Sequence, residues 1–253
     1  MLKVSDLAKS FAGVKAVAGV SFEIAKGEIL SMIGPNGAGK TSAFNMITGF
    51  YAPDAGSIVF EGRELNGLPP HAIAKAGIGR TFQNIELFHD LTVRENMRVA
   101  LQCNSPVTTI GAILRMPSTV RREIEENRRT DELLKMMGLA DKADYQSSAL
   151  SYGEQRRLEM ARALATDATL LLLDEPTAGM TPAEVGIMMD TIRKVRDTGI
   201  TVFLIEHNMK LVMSISDRIV VMDHGVKIAE DVPSEIRKHP AVLRAYLGEE
   251  EVA

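Results

Sequence analysis

Residues 34–41 read GPNGAGKT, and the apolar run Glu28 to Ile33 (EILSMI) stands directly before them. A helix-forming stretch follows, from about Lys40 to Thr48. Strand, glycine-rich turn and helix in that order are the setting in which G-x-x-x-x-G-K-[ST] carries meaning. Gly34, Gly37 and Gly39 let backbone N–H groups close around phosphates, with Pro35, Asn36 and Ala38 completing the turn and Ser42 following it. Lys40 has the reach and charge for the outer phosphates, and Thr41 has the hydroxyl to hold Mg²⁺. A plain glycine-rich turn into a helix is the competing reading, and all three elements of the setting weigh against it. The stretch predicts an α/β protein that binds a nucleoside triphosphate, ATP in the first place.

Working outward, Val17 to Ile24 (VAGVSFEI) and Gly56 to Glu61 (GSIVFE) read as strands around the loop. TLLLLD (Thr169 to Asp174) is a short continuous apolar run, the pattern of a central parallel strand. A helix is expected from Pro182 to Thr198, then the strand ITVFLIE (200–206), a helix around Met209 to Ser216, and the strand RIVVMD. Asp223-His224-Gly225 reads as a turn before VKIAE. Such alternation predicts a mostly parallel sheet covered by helices. From about Leu91 to Tyr145 strand patterns vanish and charged helical stretches such as Val120 to Gly138 take over. We expect one domain, with residues 84–146 as a helical insertion in a body made of 1–83 and 147–253.

The chain has 253 residues, 45% of them hydrophobic, which is ample for one core. Its net charge of -4 offers no electrostatic footprint for nucleic acid. The single cysteine, Cys103, cannot form an intramolecular disulfide and suits a reducing compartment. Met1 to Asp6 lacks the basic-then-apolar run of a secretory signal. The longest uncharged stretch, Val99 to Leu114, is interrupted by polar residues and is shorter than the roughly 20 residues a membrane span needs. The expected location is the cytosol or, for work at a membrane, its cytoplasmic face as a peripheral subunit.

Two acids close the strand Leu170 to Asp174: Asp174 itself and Glu175. The carboxyl ends of parallel strands are where open α/β sheets bind ligands. Asp174 is placed to help hold Mg²⁺, and Glu175 to orient and polarise an attacking water. Away from a phosphate loop the pair would read as a solvated strand end. His207 ends the next strand and is in reach of the same γ-phosphate edge, although a lone histidine there is usually a hydrogen-bonded strand-end residue. Gln83, in RTFQN, stands where body passes into insertion and is by itself an ordinary loop glutamine.

Residues 150–155 read LSYGEQ and open an amphipathic helix. Ser151 and Glu154 fit the capping box. That leaves Gly153 unexplained, since glycine costs a helix interior about 1 kcal/mol relative to alanine. Helix N-termini attract anions. The loop at 34–41 already serves the chain's own nucleotide, so a second anion-ready helix suggests a shared site.

The order of these segments, from the phosphate loop through Gln83, LSYGEQ and LLLLDE to His207, resembles the ATP-binding cassettes of ABC transporters. Their signature is usually written LSGGQ, and the resemblance covers essentially the whole chain. It implies the cassette fold: a mostly parallel core sheet, an antiparallel β subdomain and an inserted helical subdomain. It also implies head-to-tail pairing, with Ser151, Gly153 and Glu154 of one subunit on the γ-phosphate bound by the other. Phe11 would stack on adenine. Gln83 would contact Mg²⁺ and water and sense the transmembrane partner, so that Mg²⁺ is held by Thr41, Gln83 and Asp174. Glu175 would be the catalytic base and His207 the switch histidine, with Gln83 beside them.

Two departures stand out. Tyr152 and Glu154 replace glycine-type positions of the usual motif on either side of Gly153, and Ala178-Gly179-Met180-Thr181 replaces the usual Ser-Ala-Leu-Asp. Thr181-Pro182-x-Glu184 still forms a capping box with proline at N1.

Three stretches, GIGRTFQNIELFHDLTVRENM, LSYGEQRRLEMARAL and IEHNMKLVMSISDRIVVMDHG, together with PAVLRAYLGEE, resemble the ATP-binding subunits of bacterial branched-chain amino-acid importers. That branch implies a second, different cassette, two membrane permeases and a periplasmic binding protein. The active pair would be a heterodimer, with a homodimer open to the chain alone. Importers of urea and short amides share the GIGR-x-FQ style and stay an alternative. A soluble cassette ATPase acting on DNA or ribosomes would carry two cassettes, a long coiled coil or a metal hook, none of which is present. A regulator that never turns over would not need Glu175 and His207.

Overall fold

Three short runs, 29–33, 170–174 and 201–205, are buried at every position. Strands sealed on both faces belong inside a parallel sheet covered by other layers, and that is where the chain puts them. The computed structural model describes residues 1–82, 84–102 and 117–247. In chain order the elements are β1 (Leu2–Phe11), β2 (Val14–Ile24), β3 (Ile29–Ile33), α1 (Lys40–Ile47), β4 (Ala55–Phe60), β5 (Arg63–Glu64), α2 (Pro70–Lys75) and β6 (Ile78–Arg80). Then come α3 (Val93–Gln102), α4 (Pro117–Met136), α5 (Tyr152–Ala165), β7 (Leu170–Asp174), α6 (Pro182–Asp197), β8 (Thr201–Ile205), α7 (Met209–Ile215), β9 (Arg218–Asp223), β10 (Val226–Asp231), α8 (Pro233–Ile236) and α9 (Pro240–Leu247).

The larger sheet runs β10-β9-β3-β8-β7-β6, parallel throughout except for β10 against β9. The smaller sheet, β2-β1-β4-β5, is antiparallel. Because side chains alternate along a strand, each central strand feeds two cores. Ile29, Leu171, Leu173, Val202 and Leu204 face the helices α3 to α7. Leu30, Leu170, Leu172, Phe203 and Ile205 face α1 and the small sheet. Phe203 is the keystone of the second core, packed 4.7 Å from Phe44 and 5.4 Å from Phe22 between ring centroids. Between β6 and β7 the described chain is helical, and α5 packs on α3, α4, α6 and β6.

Four strands differ from the sequence expectation, the short β5 and β6 among them, which it did not include. β1 was not anticipated, and β2 begins at Val14 rather than Val17. β1 shifts register between Val4 and Leu7, with Asp6 at φ 47°, so its inside–outside period is broken. The turn into β2 is Ala12-Gly13, both at positive φ, a two-residue hairpin turn without the usual Asn or Asp signal. Cys103 and most of the uncharged stretch from Val99 to Leu114 lie outside the described residues, as do residues 248–253. Among the described residues no helix is long and apolar enough to cross a membrane.

Candidate functional site

The loop between β3 and α1 is shaped by backbone that only glycine supplies. Gly34 has φ 152°, and a Cβ there would lie 2.1 Å from the Met222 carbonyl oxygen. At Gly39, with φ 97°, a Cβ would lie 2.2 Å from the Ala16 oxygen. Gly37 faces open space, so only its φ of 80° calls for glycine. Gly39 serves as N-cap of α1 with no side-chain cap, which leaves the helix's first N–H groups without a capping side chain. The Ala38 amide donates to Pro35 O at 3.2 Å, and Gly225 N donates to Ala38 O at 3.1 Å, tying the loop to the β9–β10 turn. Asn36 and Thr41 are exposed and Ser42 is half-buried.

Lys40 is buried and its ammonium curls back to donate to Gly34 O (2.8 Å) and Pro35 O (2.9 Å). Burial pulls its pKa below the usual lysine value, while Glu175 and Asp174 pull it back up. A lysine drawn to its own loop and to two acids at once is the counter-charge of a site where anionic oxygens belong.

Asp174 is buried at the end of β7, with Oδ2 3.2 Å from Arg80 Nη2. Burial pushes its carboxyl up and the Arg80 guanidinium draws it down. Glu175 follows in the left-handed region at φ 49°, its amide bonded to Ile205 O at 2.9 Å. Such backbone persists where the surroundings over-determine it. Its Oε1 lies 3.0 Å from His207 Nε2, so the structure brings these two predicted residues into one pair. Beneath them Glu206 is buried and accepts from the backbone amides of Thr177 (3.0 Å), His207 (2.8 Å) and Asn208 (3.0 Å), and from the Thr177 hydroxyl. One carboxylate thus locks the segment after Glu175 to the segment carrying His207. Glu206 has no role in the sequence expectation, although an acid directly after the strand TVFLI was the available signal.

The oxygen donors Thr41 and Asp174 suit a hard cation such as Mg²⁺. Among the described residues no group of three or more His, Cys, Asp or Glu converges. A cation there would therefore rely on a hydroxyl, one carboxylate and the nucleotide's own oxygens. Gln83 lies outside the described residues. Its neighbour Phe82 is held on both backbone groups by α5: its amide donates to Glu159 (3.0 Å), and its carbonyl accepts from Arg156 (2.5 Å). Arg156 and Glu159 pair at 3.2 Å, and both are buried. Phe11 ends β1, 39% exposed, with the Tyr51 ring set edge-on at 5.1 Å. Tyr51 was missed because it lies in a loop 40 residues downstream of Phe11.

At the N-terminus of α5 both halves of the capping box are present. Ser151 Oγ accepts from Glu154 N at 3.4 Å, and Glu154 accepts from Ser151 N at 3.0 Å. Glu154 is further engaged by Lys142 at 2.6 Å. The space over buried Gly153 is taken by a residue of the same chain. Glu184 Oε1 accepts from Gly153 N (3.4 Å) and the Ser151 hydroxyl (3.5 Å), and a Cβ at Gly153 would sit 2.9 Å from it. Glu184 is itself the N3 residue of the second capping box, bonded to Thr181 N (3.0 Å) and Oγ1 (2.9 Å) at the start of α6. Those bonds hold its carboxyl below the usual range. In the single chain, then, the anion on this helix is its own.

A family profile described as ABC transporter matches residues 17–178, and one described as branched-chain amino acid ATP-binding cassette transporter matches residues 226–252. The chain is 44% identical to the high-affinity branched-chain amino acid transport ATP-binding protein BraF of Pseudomonas aeruginosa, over 98% of each chain. It is 46% identical to the corresponding protein LivG of Salmonella typhimurium, again over 98% of each. Among solved structures it resembles the ADP conformation of MJ1267, an ATP-binding cassette of an ABC transporter, with TM-score 0.84 and 29% identity over 98% of this chain and 99% of that one.

Proposed function

The chain belongs to the ATP-binding subunits of ABC transporters, and on that footing we propose that it powers the import of branched-chain amino acids across a membrane. The observation that carries this reading is the 44–46% identity to BraF and LivG, which extends over 98% of both chains. The separate match at 226–252, outside the part common to ABC cassettes at large, points to the same branch.

In this reading Lys40 and the backbone of 34–41 hold the phosphates, while Thr41, Asp174 and Gln83 hold Mg²⁺. When bound, the cation neutralises charge on the β- and γ-phosphate oxygens. Phe11, supported by Tyr51, covers the adenine. Glu175 orients the attacking water and accepts its proton, and His207, 3.0 Å away, fixes the carboxylate and faces the γ-phosphate edge. Ser151 and Gly153 complete the site from the opposite subunit, which requires Glu184 to give up its place on them.

The subunit works as a pair, as a heterodimer with a related cassette or as a homodimer when alone, on the cytoplasmic face of the membrane. Two permease subunits sit above the pair, and a periplasmic binding protein delivers the solute. Residues 84–146 form the helical unit that moves with Gln83 when nucleotide closes the pair, a two-state switch biased by γ-phosphate contacts.

The test is uptake of labelled leucine and of labelled urea in cells lacking other importers for them and carrying wild type or Glu175→Gln. Loss of leucine uptake alone is expected. Loss of urea uptake instead would replace the solute and keep the ATPase; unchanged uptake of both would remove the transport reading.

A further inference from the structure

Arg80, the last residue of β6, carries its guanidinium on a side chain that is only 10% exposed. Its Nη1 donates at 2.7 Å to Asn45 Oδ1 and at 2.7 Å to Thr48 Oγ1, on and just after α1. Nη2 reaches Asp174 Oδ2 at 3.2 Å. The guanidinium carbon lies 5.8 Å from the Phe44 ring centroid and 5.4 Å from those of Phe50 and Phe82. Burying this charge costs desolvation that an apolar residue of similar shape would avoid. Three oxygens and three rings compensate its two terminal nitrogens, while Nε is buried without a hydrogen-bond partner among the described residues. These oxygens and rings come from the helix after the phosphate loop and the turn that follows it, the strand carrying Asp174, and the segment leading to Gln83. Its hydrogen bonds and ring contacts all lie outside the loop at 34–39, so nucleotide contact does not explain them.

We propose that Arg80 is the positioning residue for Asp174. By holding Oδ2 from a guanidinium itself pinned to Asn45 and Thr48, it fixes the carboxylate so that its other oxygen presents to the cation. Carboxylate ligands depend on such outer partners, whose removal typically weakens metal binding about 10–100-fold. The fork geometry matters, because one group must reach α1 and Asp174 together while lying flat against aromatic faces; lysine has one nitrogen and no plane. Phe50 and Phe82 are 49% and 38% exposed and meet edge-on at 5.9 Å between centroids. The support of Arg80 therefore reaches the surface, and displacement of either ring is transmitted to the carboxylate through a single side chain.

This inference rests on the nucleotide site proposed above, and the experiment separates the two. Fluorescent mant-ATP is titrated onto the full chain in EDTA and then at increasing Mg²⁺, for wild type, Arg80→Gln, Arg80→Lys and Phe50→Leu. Metal-free affinity should be unchanged in all three variants. The Mg²⁺ concentration that gives half of the metal-dependent response should rise about tenfold or more in Arg80→Gln. It should rise less in Arg80→Lys and least in Phe50→Leu. An unchanged Mg²⁺ midpoint, or a fall in metal-free affinity that accounts for the whole loss, would overturn the role, the latter by making Arg80 a mere support of α1. If Arg80→Gln does not fold, unchanged midpoints in the other two variants overturn it as well. A wild-type chain that binds no mant-ATP, or ignores Mg²⁺, would instead refute the site itself.

Discussion

Among the described residues two helix N-termini carry glycine in the cap or first turn, and they are finished in opposite ways. The one at Gly39 has no side-chain cap, and Gly34 and Gly39 are pressed so tightly against Met222 and Ala16 that no other residue fits at either position. The one at Ser151 is capped by its own Ser151 and Glu154 and covered by the carboxylate of Glu184. An end without a cap, beside a buried lysine, is ready for an anion within the chain. An end covered by an internal acid is closed until something stronger displaces that acid. The difference teaches that one chain leaves one helix end open to an anion and keeps the other covered by its own acid, which is what the proposed site, assembled between two copies, calls for.

The largest effect that could break this comparison is at Glu175. Glu175→Gln should lower ATP turnover about 10²–10⁴-fold, the usual contribution of a positioned general base. It should leave nucleotide binding intact and accumulate an ATP-bound dimer, seen by light scattering. A variant that stays monomeric in ATP while wild type turns over as fast would mean that the covered end never meets a nucleotide. Lys40→Ala acts on the other end only. Turnover should fall on the order of 10²–10³-fold, as when a preorganised donor to developing charge is lost, and mant-ATP affinity should fall with it. Normal ATPase activity in that variant would sink the assignment of the loop.

Ser151→Ala sharpens the contrast, since its effect should be confined to pairing. Binding of mant-ATP to the single chain should match wild type, while the ATP-dependent dimer, followed by sedimentation, should weaken about 10–100-fold. That is the scale of a hydrogen bond to a charged group, about 1.5–3 kcal/mol. Removing the cap also costs the helix about 1 kcal/mol, read separately by thermal unfolding. A loss of affinity in the single chain would place Ser151 in the wrong site.

The legibility of these features in the sequence follows from how local each one is. The loop at 34–41, the strand at 170–174 and both capping boxes are short-range patterns, and the chain folds each as its own residues demand. The antiparallel sheet was visible only through family resemblance, because β1 is interrupted by Asp6 at positive φ and turns on Ala12-Gly13. Arg80, Glu206 and Arg156 were missed for another reason. Each acts through partners far along the chain: Arg80 on Asp174, Glu206 on Thr177, Arg156 on Phe82. No period or spacing announces such pairs; a charged residue standing in an otherwise apolar strand or at its end is the nearest trace. Glu184 was legible as a cap but not as a cover, since its second role depends on the approach of α6 to the start of α5.

That second role gives the smallest and sharpest prediction. Glutamine serves a capping box as glutamate does, so Glu184→Gln should keep α6 while removing the negative charge from Gly153 and Ser151. The bonds at stake are long, 3.4 and 3.5 Å, and the carboxylate is half-buried. The gain is therefore of the size of a weak surface interaction, about threefold tighter ATP-dependent dimerisation. Its hydrogen bonds with Thr181 depress the Glu184 pKa below the usual carboxylate value. The charge is thus fully present above the ordinary carboxyl range and is lost only as pH falls through that lowered value. The advantage of the glutamine variant should accordingly be constant from about pH 6 to 8 and shrink with added salt. Thr181→Ala is the control: it removes the cap, leaves the carboxylate, and should lower thermal stability without tightening the dimer. Equal or weaker dimerisation of Glu184→Gln would mean that the acid supports the signature helix rather than holding its place for a phosphate.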